Sequence, residues 1–276
     1  MIAFMAENVT KLGVRGWFDR AWRLVGTGFS FTMFGIGGLI LGTIIFPICF
    51  LIVRDPAKRQ CFTRKLVGKL FSTFIWMMKS LGVLSYEIHG FENASDIEQT
   101  LIVANHPSLI DVVFLLSFFP MSECVVKKAI TQNPFTRSVA AGAKYISNGD
   151  PEIMLNTCIE RVRKGSNLIM FPEGTRGDPG KPLKFKLGAA AIAVRADAQI
   201  LPITIRCTPP TLRKGESWFQ IPDRRPHWVF EIPATRSIED FIGSLGNERE
   251  AIRQFQSALL GYYEDRIDQD SKTSTR

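Results

Sequence analysis

His106 and Asp111 stand five residues apart in Asn105-His-Pro-Ser-Leu-Ile-Asp111, directly after the apolar run Leu101–Ala104. That order puts an imidazole at the end of a strand and a carboxylate about one and a half helical turns later, where it can hold the ring as a general base. Taken alone, the spacing is one that chance supplies, and a strand-end histidine is usually satisfied by backbone. A second cluster gives it weight. Phe171-Pro-Glu-Gly-Thr-Arg176 also follows an apolar run, Asn167–Met170. Gly174 lets backbone amides approach a ligand, Thr175 supplies a hydroxyl, and Arg176 supplies a planar fork suited to phosphate or carboxylate. Elsewhere such a string would be a turn shaped by Pro172 and Gly174, with Glu173 pairing to Arg176 at the surface.

The two clusters together resemble the signature of the glycerolipid-type (lysophospholipid or 1-acylglycerol-3-phosphate) acyltransferases, His-x4-Asp followed by Phe-Pro-Glu-Gly-Thr-Arg. The resemblance implies transfer of a fatty acyl group from a thioester donor, acyl-CoA or the acyl carrier protein, to a hydroxyl of a lipid-like acceptor such as lysophosphatidic acid. No cofactor is implied. His106 would be the base and Asp111 would fix its tautomer; Phe171, Pro172, Glu173, Gly174, Thr175 and Arg176 would help bind the acceptor. Phe185-Lys186-Leu-Gly188 resembles the family's Phe-Lys-x-Gly element and brings Lys186 into the substrate-binding set. Leu201-Pro202-Ile203 resembles its short apolar-Pro-apolar block, and Val125-Val-Lys-Lys128 resembles the strand before its second block. Lys127 then becomes an anion contact, although an exposed lysine pair fits equally well. One position departs from the pattern: Asn148 stands where the family usually has an arginine that supplies charge for the acceptor phosphate. A charge-assisted bond of roughly 1.5–3 kcal/mol goes with it, so the acceptor is less constrained than the reaction.

Three other functions compete. The acceptor could be an amphiphile of a specialised, non-glycerophosphate pathway; the chain could be a lipid-binding protein without turnover; or water could replace the acceptor in a thioesterase. The intact His106 and Asp111 speak against the second, and the lack of a Gly-x-Ser-x-Gly elbow gives a serine hydrolase no support. Five cysteines, Cys49, Cys61, Cys124, Cys158 and Cys207, are odd in number and lack Cys-x-x-Cys spacing, which fits buried thiols rather than a disulfide framework or a zinc site. No metal is expected. His89 and His227 have no comparable partners in the sequence.

These residues need a scaffold. From residue 85 onward, short apolar runs at 85–89, 101–104, 124–129, 144–147, 167–171, 199–206 and 228–232 alternate with helical stretches at 108–119, 134–142, 151–164, 186–196 and 247–267. The alternation predicts an α/β layered domain with a mostly parallel mixed sheet flanked by helices, its site in the loops at the strand ends. An N-terminal membrane-associated helical segment precedes it. No charged side chain interrupts Leu24–Val53, a run of 30 residues, longer than the roughly 20 needed to cross hydrocarbon as a helix. A single membrane helix and a pair of half-inserted segments broken near Gly35–Gly38 or Pro47 both fit. A signal peptide would be shorter and nearer the start. Residues 56–82 read as a second helix with Phe62, Leu66, Leu70, Phe74 and Met77 on one side.

The formal charge of +8 is concentrated beside that segment. Arg54, Lys58, Arg59, Arg64, Lys65 and Lys69 face only Asp55, and Lys11, Arg15, Arg20 and Arg23 face Glu7 and Asp19, which leaves +1 for everything else. This placement suits membrane lipids with anionic head groups and not nucleic acid, and it predicts an inner-membrane protein whose catalytic domain faces the cytoplasm. The expected organisation is an anchoring segment at 1–83, a catalytic domain at 84–267 and a disordered tail at 268–276.

Overall fold

The computed structural model describes the backbone of residues 2–133, 136–177, 181–244 and 246–273, and side chains within those ranges from 15 to 267. Its strands are β1 (Ser85–His89), β2 (Thr100–Ala104), β3 (Glu123–Val126), β4 (Ile146–Ser147), β5 (Leu168–Met170), β6 (Gln199–Thr208) and β7 (His227–Glu231). The helices are α1 (Ile2–Ile40), α2 (Phe46–Ile52), α3 (Pro56–Ser80), α4 (Asp111–Phe118), α5 (Lys128–Gln132), α6 (Arg137–Ala143), α7 (Pro151–Arg163), α8 (Leu187–Ala196), α9 (Glu239–Ile242) and α10 (Glu248–Thr273).

The strands form one seven-stranded sheet among the described residues, in the order β1-β7-β6-β2-β5-β3-β4. All pairs are parallel except β6 with β7. The mixed character comes from β6, the longest strand. Gln199–Ile203 pairs with β2 and Thr204–Thr208 pairs with β7. The central strand β2 is buried throughout, as a strand covered on both faces must be. Its side chains alternate between two cores. Ile102 and Ala104 join α3, α4, Trp228 and Phe230 on one face, while Leu101 and Val103 join α7, α8 and α10 on the other. Side chains such as Phe114, Leu115 and Phe255 are fully excluded from solvent, each worth about 1.5–3 kcal/mol of burial.

The N-terminal segment is one bent helical rod. A π-helical turn at Leu41–Ile45 joins α1 to α2, immediately before Pro47. Proline has no N–H and its ring crowds the carbonyl four residues earlier, so a widened turn there relieves both problems without breaking the helix. Neither Gly35 nor Gly38 interrupts it. Asp55 then caps α3 by accepting from the Ala57 and Lys58 amides at 2.8 and 3.3 Å.

Several expectations shift. The buried side of α3 is Thr63, Arg64, Val67, Gly68, Phe74, Ile75 and Met78, rotated from the expected stripe, of which Phe74 is buried, Leu66, Leu70 and Met77 are half-buried and Phe62 is exposed. The reason is Arg64. Its guanidinium is buried and donates to the carbonyls of Met121 and Ala143 at 2.7 and 2.9 Å, and it lies 3.2 Å from Glu123, which also holds Arg161 at 2.7 Å. A cation read from sequence as facing lipid thus ties α3 to β3 and α7. The strand expected at 124–129 ends at Val126, and α5 begins two residues later at Lys128. α10 continues to Thr273, past the expected end at 267; residues 274–276, and Pro134 and Phe135 of the expected helix at 134–142, lie outside the described residues.

Candidate active site

His106 follows the C-terminal end of β2, in the loop that leads to α4, and Asp111 is the first residue of that helix. The loop is fixed by its neighbours. The Asn105 side chain acts as a peptide surrogate, accepting from the Ile205 amide at 2.7 Å and donating to the Ile205 carbonyl at 2.8 Å, which ties the end of β2 to β6. Backbone on both sides of His106 is gripped by the 171–177 turn. Its N–H donates to Glu173 Oε1 at 2.8 Å, and its carbonyl accepts from the Gly177 amide at 2.8 Å. The imidazole stacks on Phe171, with centroids 4.0 Å apart and planes 20° apart.

Asp111 is wholly buried and accepts four hydrogen bonds. Oδ2 takes His106 Nδ1 at 2.9 Å and the Ser108 amide at 2.6 Å; Oδ1 takes Ser108 Oγ at 2.5 Å and Trp228 Nε1 at 3.2 Å. An ionised carboxylate only accepts, so Nδ1 carries the ring proton and Nε2 holds the lone pair. With its side chain 15 % exposed, the ring reaches solvent from a buried mooring. Such a pair can take a proton from a hydroxyl and store the positive charge against Asp111.

The second cluster is more than a surface turn. Pro172 and Glu173 are buried, and Glu173 does not pair with Arg176 as a surface turn would have it. Burial pushes the Glu173 carboxyl above the usual range, and the His106 amide pulls partly the other way. Gly174 has φ of +69° and donates to the Phe171 carbonyl at 3.0 Å, a conformation that costs any other residue type strain. Lys186, whose amide bonds the Pro172 carbonyl at 2.8 Å, lies across this glycine: a Cβ there would come within 2.8 Å of its Nζ. Thr175 is exposed beside it. Arg176 Nη1 donates to the carbonyls of Leu212 and Arg213, both at 2.9 Å, so its guanidinium is held by the loop after β6.

His106, Asp111, Phe171, Glu173, Gly174, Arg176 and Lys186 therefore converge at the C-terminal ends of β2 and β5. Lys127 stands at the same sheet edge but at the end of β3, two strands from β2, about 10 Å away at ordinary strand spacing. It is exposed, and no described contact joins it to the histidine. Asn148 lies near Lys127 and is structurally committed: its side-chain oxygen accepts from the Lys128 amide at 3.0 Å at the start of α5. His227 bonds Ser85 Oγ at 2.9 Å through Nδ1 and has no buried carboxylate like that of Asp111 beside it among the described residues.

Sequence reasoning missed Ser108, Asn105 and Trp228. The first two are inside the motif itself. Trp228 is 117 residues from Asp111, and its only local signal was an indole in a strand buried too deeply to leave its N–H unpaired.

A mixed sheet thus carries a His–Asp pair at its strand ends, clasped by a Phe-Pro-Glu-Gly-Thr-Arg turn. Residues 85–206 match the model of the family described as Acyltransferase. Among proteins it resembles is a 1-acyl-sn-glycerol-3-phosphate acyltransferase of Pseudomonas aeruginosa, 31 % identical over 135 residues, covering 47 % of this chain and 52 % of the relative. Another, with the same description, from Helicobacter pylori, is 36 % identical over 112 residues, 38 % of this chain and 47 % of the relative. The chain thus spans about half the length of the curated relatives it matches. The fold is shared with the crystal structure of the 1-acyl-sn-glycerophosphate (LPA) acyltransferase PlsC from Thermotoga maritima, at a TM-score of 0.68 and 20 % identity, covering 90 % of this chain and 98 % of that one.

Proposed function

We propose that this protein transfers a fatty acyl group from acyl-CoA or acyl carrier protein to the free hydroxyl of 1-acyl-sn-glycerol-3-phosphate. The observation that carries the reading is the His106–Asp111 pair, locked by the same turn that presents Arg176 and Lys186. His106 Nε2 takes the acceptor's hydroxyl proton as the oxygen attacks the thioester carbonyl. The imidazolium is stabilised by Asp111; the tetrahedral intermediate then expels the thiolate, which recovers the proton. No acyl-enzyme is required, because a base-activated alcohol attacks the thioester directly. Lys186 and Arg176 supply positive charge for the acceptor's phosphate, and Lys127 adds to the field at the same edge.

The helical stretch Arg15–Ile52, 38 residues, is long and apolar enough to cross a membrane by length and composition. Phe18, Val25, Phe29, Leu51 and Ile52 on it are exposed. Residues 1–83 accordingly act as the anchor and 84–267 as the catalytic domain. Exposed Arg54, Lys58, Lys65 and Lys69 at the foot of that anchor support an inner-membrane, cytoplasm-facing placement.

The test is product formation by purified, detergent-solubilised protein with each donor against lysophosphatidic acid, other lysophospholipids and amphiphiles without phosphate. The last group matters because Asn148 removes a charge the family usually has. Acylated lysophosphatidic acid is expected; His106→Ala should lower kcat with little change in KM, and Arg176→Ala should chiefly raise the acceptor KM. Absence of product with every acceptor from folded protein refutes the reading, and free fatty acid in its place would make the protein a thioesterase.

A further inference from the structure

The loop after β6, residues 209–226, has no part in the family's motifs, yet it touches both ends of the molecule. At its start, Leu212 and Arg213 hold the Arg176 guanidinium, and the Leu212 carbonyl also accepts from the Leu109 amide at 3.0 Å in the His106–Asp111 loop. At its end, the carbonyls of Pro222, Asp223 and Arg224 accept from Arg23 of α1 at 2.8, 2.9 and 3.2 Å. Arg23 is 1 % exposed. Three carbonyls on one buried guanidinium make this a rigid joint, because losing it would leave charge and dipoles unpaired out of water.

Between those two anchor points the loop turns outward and exposes Trp218 (45 %) and Phe219 (56 %), packed edge to face with centroids 5.7 Å apart. A monomeric soluble surface has little reason to show two adjacent aromatic rings. Their position supplies one. The Trp218 ring lies against Gly28 of α1, so near that a Cβ there would approach it within 3.2 Å. On the other flank of the same helix, Trp22 donates its indole N–H to the Leu81 carbonyl at 2.8 Å, just after α3. Trp22 and Gly28 are six residues apart, or about 240° further round the axis, and the exposed stripe of Phe18, Val25 and Phe29 runs between them. Trp218 and Phe219 thus extend the apolar face of α1 sideways. The loop's exposed cations, Lys214, Arg224 and Arg225, outnumber its one exposed acid, Asp223.

We propose that residues 209–226 form a second lipid-contacting element, which seats Trp218 and Phe219 in the head-group layer of an anionic membrane beside α1. Trp218, with an apolar body and a polar N–H edge, favours that layer, Phe219 adds apolar area beside it, and neighbouring cations draw the loop to anionic lipid. The loop then connects the bilayer surface to Arg176 through backbone alone. This inference rests on the reading of α1 as a membrane segment.

The experiment is tryptophan quenching by brominated acyl chains, with the full-length protein reconstituted in phosphatidylcholine vesicles with and without phosphatidylglycerol. Three of the five tryptophans, Trp22, Trp76 and Trp218, are exposed, so Trp218→Phe should remove roughly a third of the quenched signal if all three reach the interface. The loss should be larger in the phosphatidylglycerol vesicles. Quenching unchanged by Trp218→Phe but reduced by Trp22→Phe would overturn the proposal while leaving α1 in the membrane. Quenching reduced by neither would also overturn the proposal, and a native protein that is not quenched at all would remove the membrane reading itself. A Trp218 contribution equal in both vesicle types would overturn the preference for anionic lipid.

Discussion

Replacing Asp111 by asparagine separates the charge of this carboxylate from its shape. Four donors point at its two oxygens, and an amide has only one oxygen to offer. If the new NH2 replaces Oδ2, it meets the Ser108 amide, which sits at 2.6 Å and can only donate. If it replaces Oδ1, it meets Ser108 Oγ, which can rotate to accept, and Trp228 Nε1, a looser donor at 3.2 Å. The second orientation is favoured. His106 then keeps its tautomer, and the site loses charge while Trp228 is left with only its bond to Ser108 Oγ at 3.3 Å.

Charges about 4 Å apart at an effective dielectric of about 20 attract by roughly 4 kcal/mol. A neutral bond to the ring retains about 1 kcal/mol. The difference of about 3 kcal/mol bears on the imidazolium formed during transfer, so kcat should fall by roughly two orders of magnitude. KM should barely move. The weakened indole contact predicts a coupling: Trp228→Phe destabilises the native protein, but costs about 1 kcal/mol less in the Asp111→Asn background, where only the bond to Ser108 Oγ remains to lose. Steady-state kinetics and denaturant unfolding in detergent of both single variants and the double variant measure these quantities. A kcat within tenfold of the native value, or additive stabilities within about 0.5 kcal/mol, would refute the assignment.

Two further outcomes follow from burial. Because the Glu173 carboxyl is raised above its unfolded value, its contribution to stability is greatest when protonated and declines as pH rises through the folded value. Glu173→Gln keeps an acceptor for the His106 amide without the buried charge. Its stability relative to the native protein should therefore improve toward neutral pH and lose that advantage in acid; thermal melts across pH in which the difference grows toward acid would contradict this. Cys124 and Cys158 are buried and have thiols pushed up to about 12 by burial, and Cys207 is raised for the same reason. The nucleophile is the thiolate, so activity should survive iodoacetamide at neutral pH. Inactivation together with mass-spectrometric labelling of any of these three would show that the core opens.

The strands were legible because a two-residue alternation or a short apolar run is written locally. β1 begins and ends where expected, β2 begins one residue early, and β7 is displaced by one residue. The strand at 124–129 was overrun because Lys127 and Lys128 break no pattern. Only Asn148, brought alongside by β4, caps the Lys128 amide and lets α5 start there. α3 was legible as a helix but not in its facing. Arg64 and Phe62 occupy neighbouring positions, and which one turns inward depends on Glu123, 59 residues further along the chain.

The cations show the same division. Counting Arg23 and Arg64 with the lipid-facing charge was reasonable from their neighbours, yet both are buried against carbonyl groups that the fold assembles.

By itself the sequence determined the juxtaposition of His106 and Asp111, the turn that accompanies them, the layered α/β class and the apolar run before it. All of these depend on residue type and on spacings of a few residues. Tertiary structure alone decided how the pair is held. Glu173 and Gly177 grip the backbone of His106 from a separate strand, Phe171 stacks on its ring, and Trp228 completes the shell of Asp111 from β7, two strands along the sheet. The physical reason is that hydrogen bonds and ring contacts act over about 3–5 Å in space, whatever the separation along the chain.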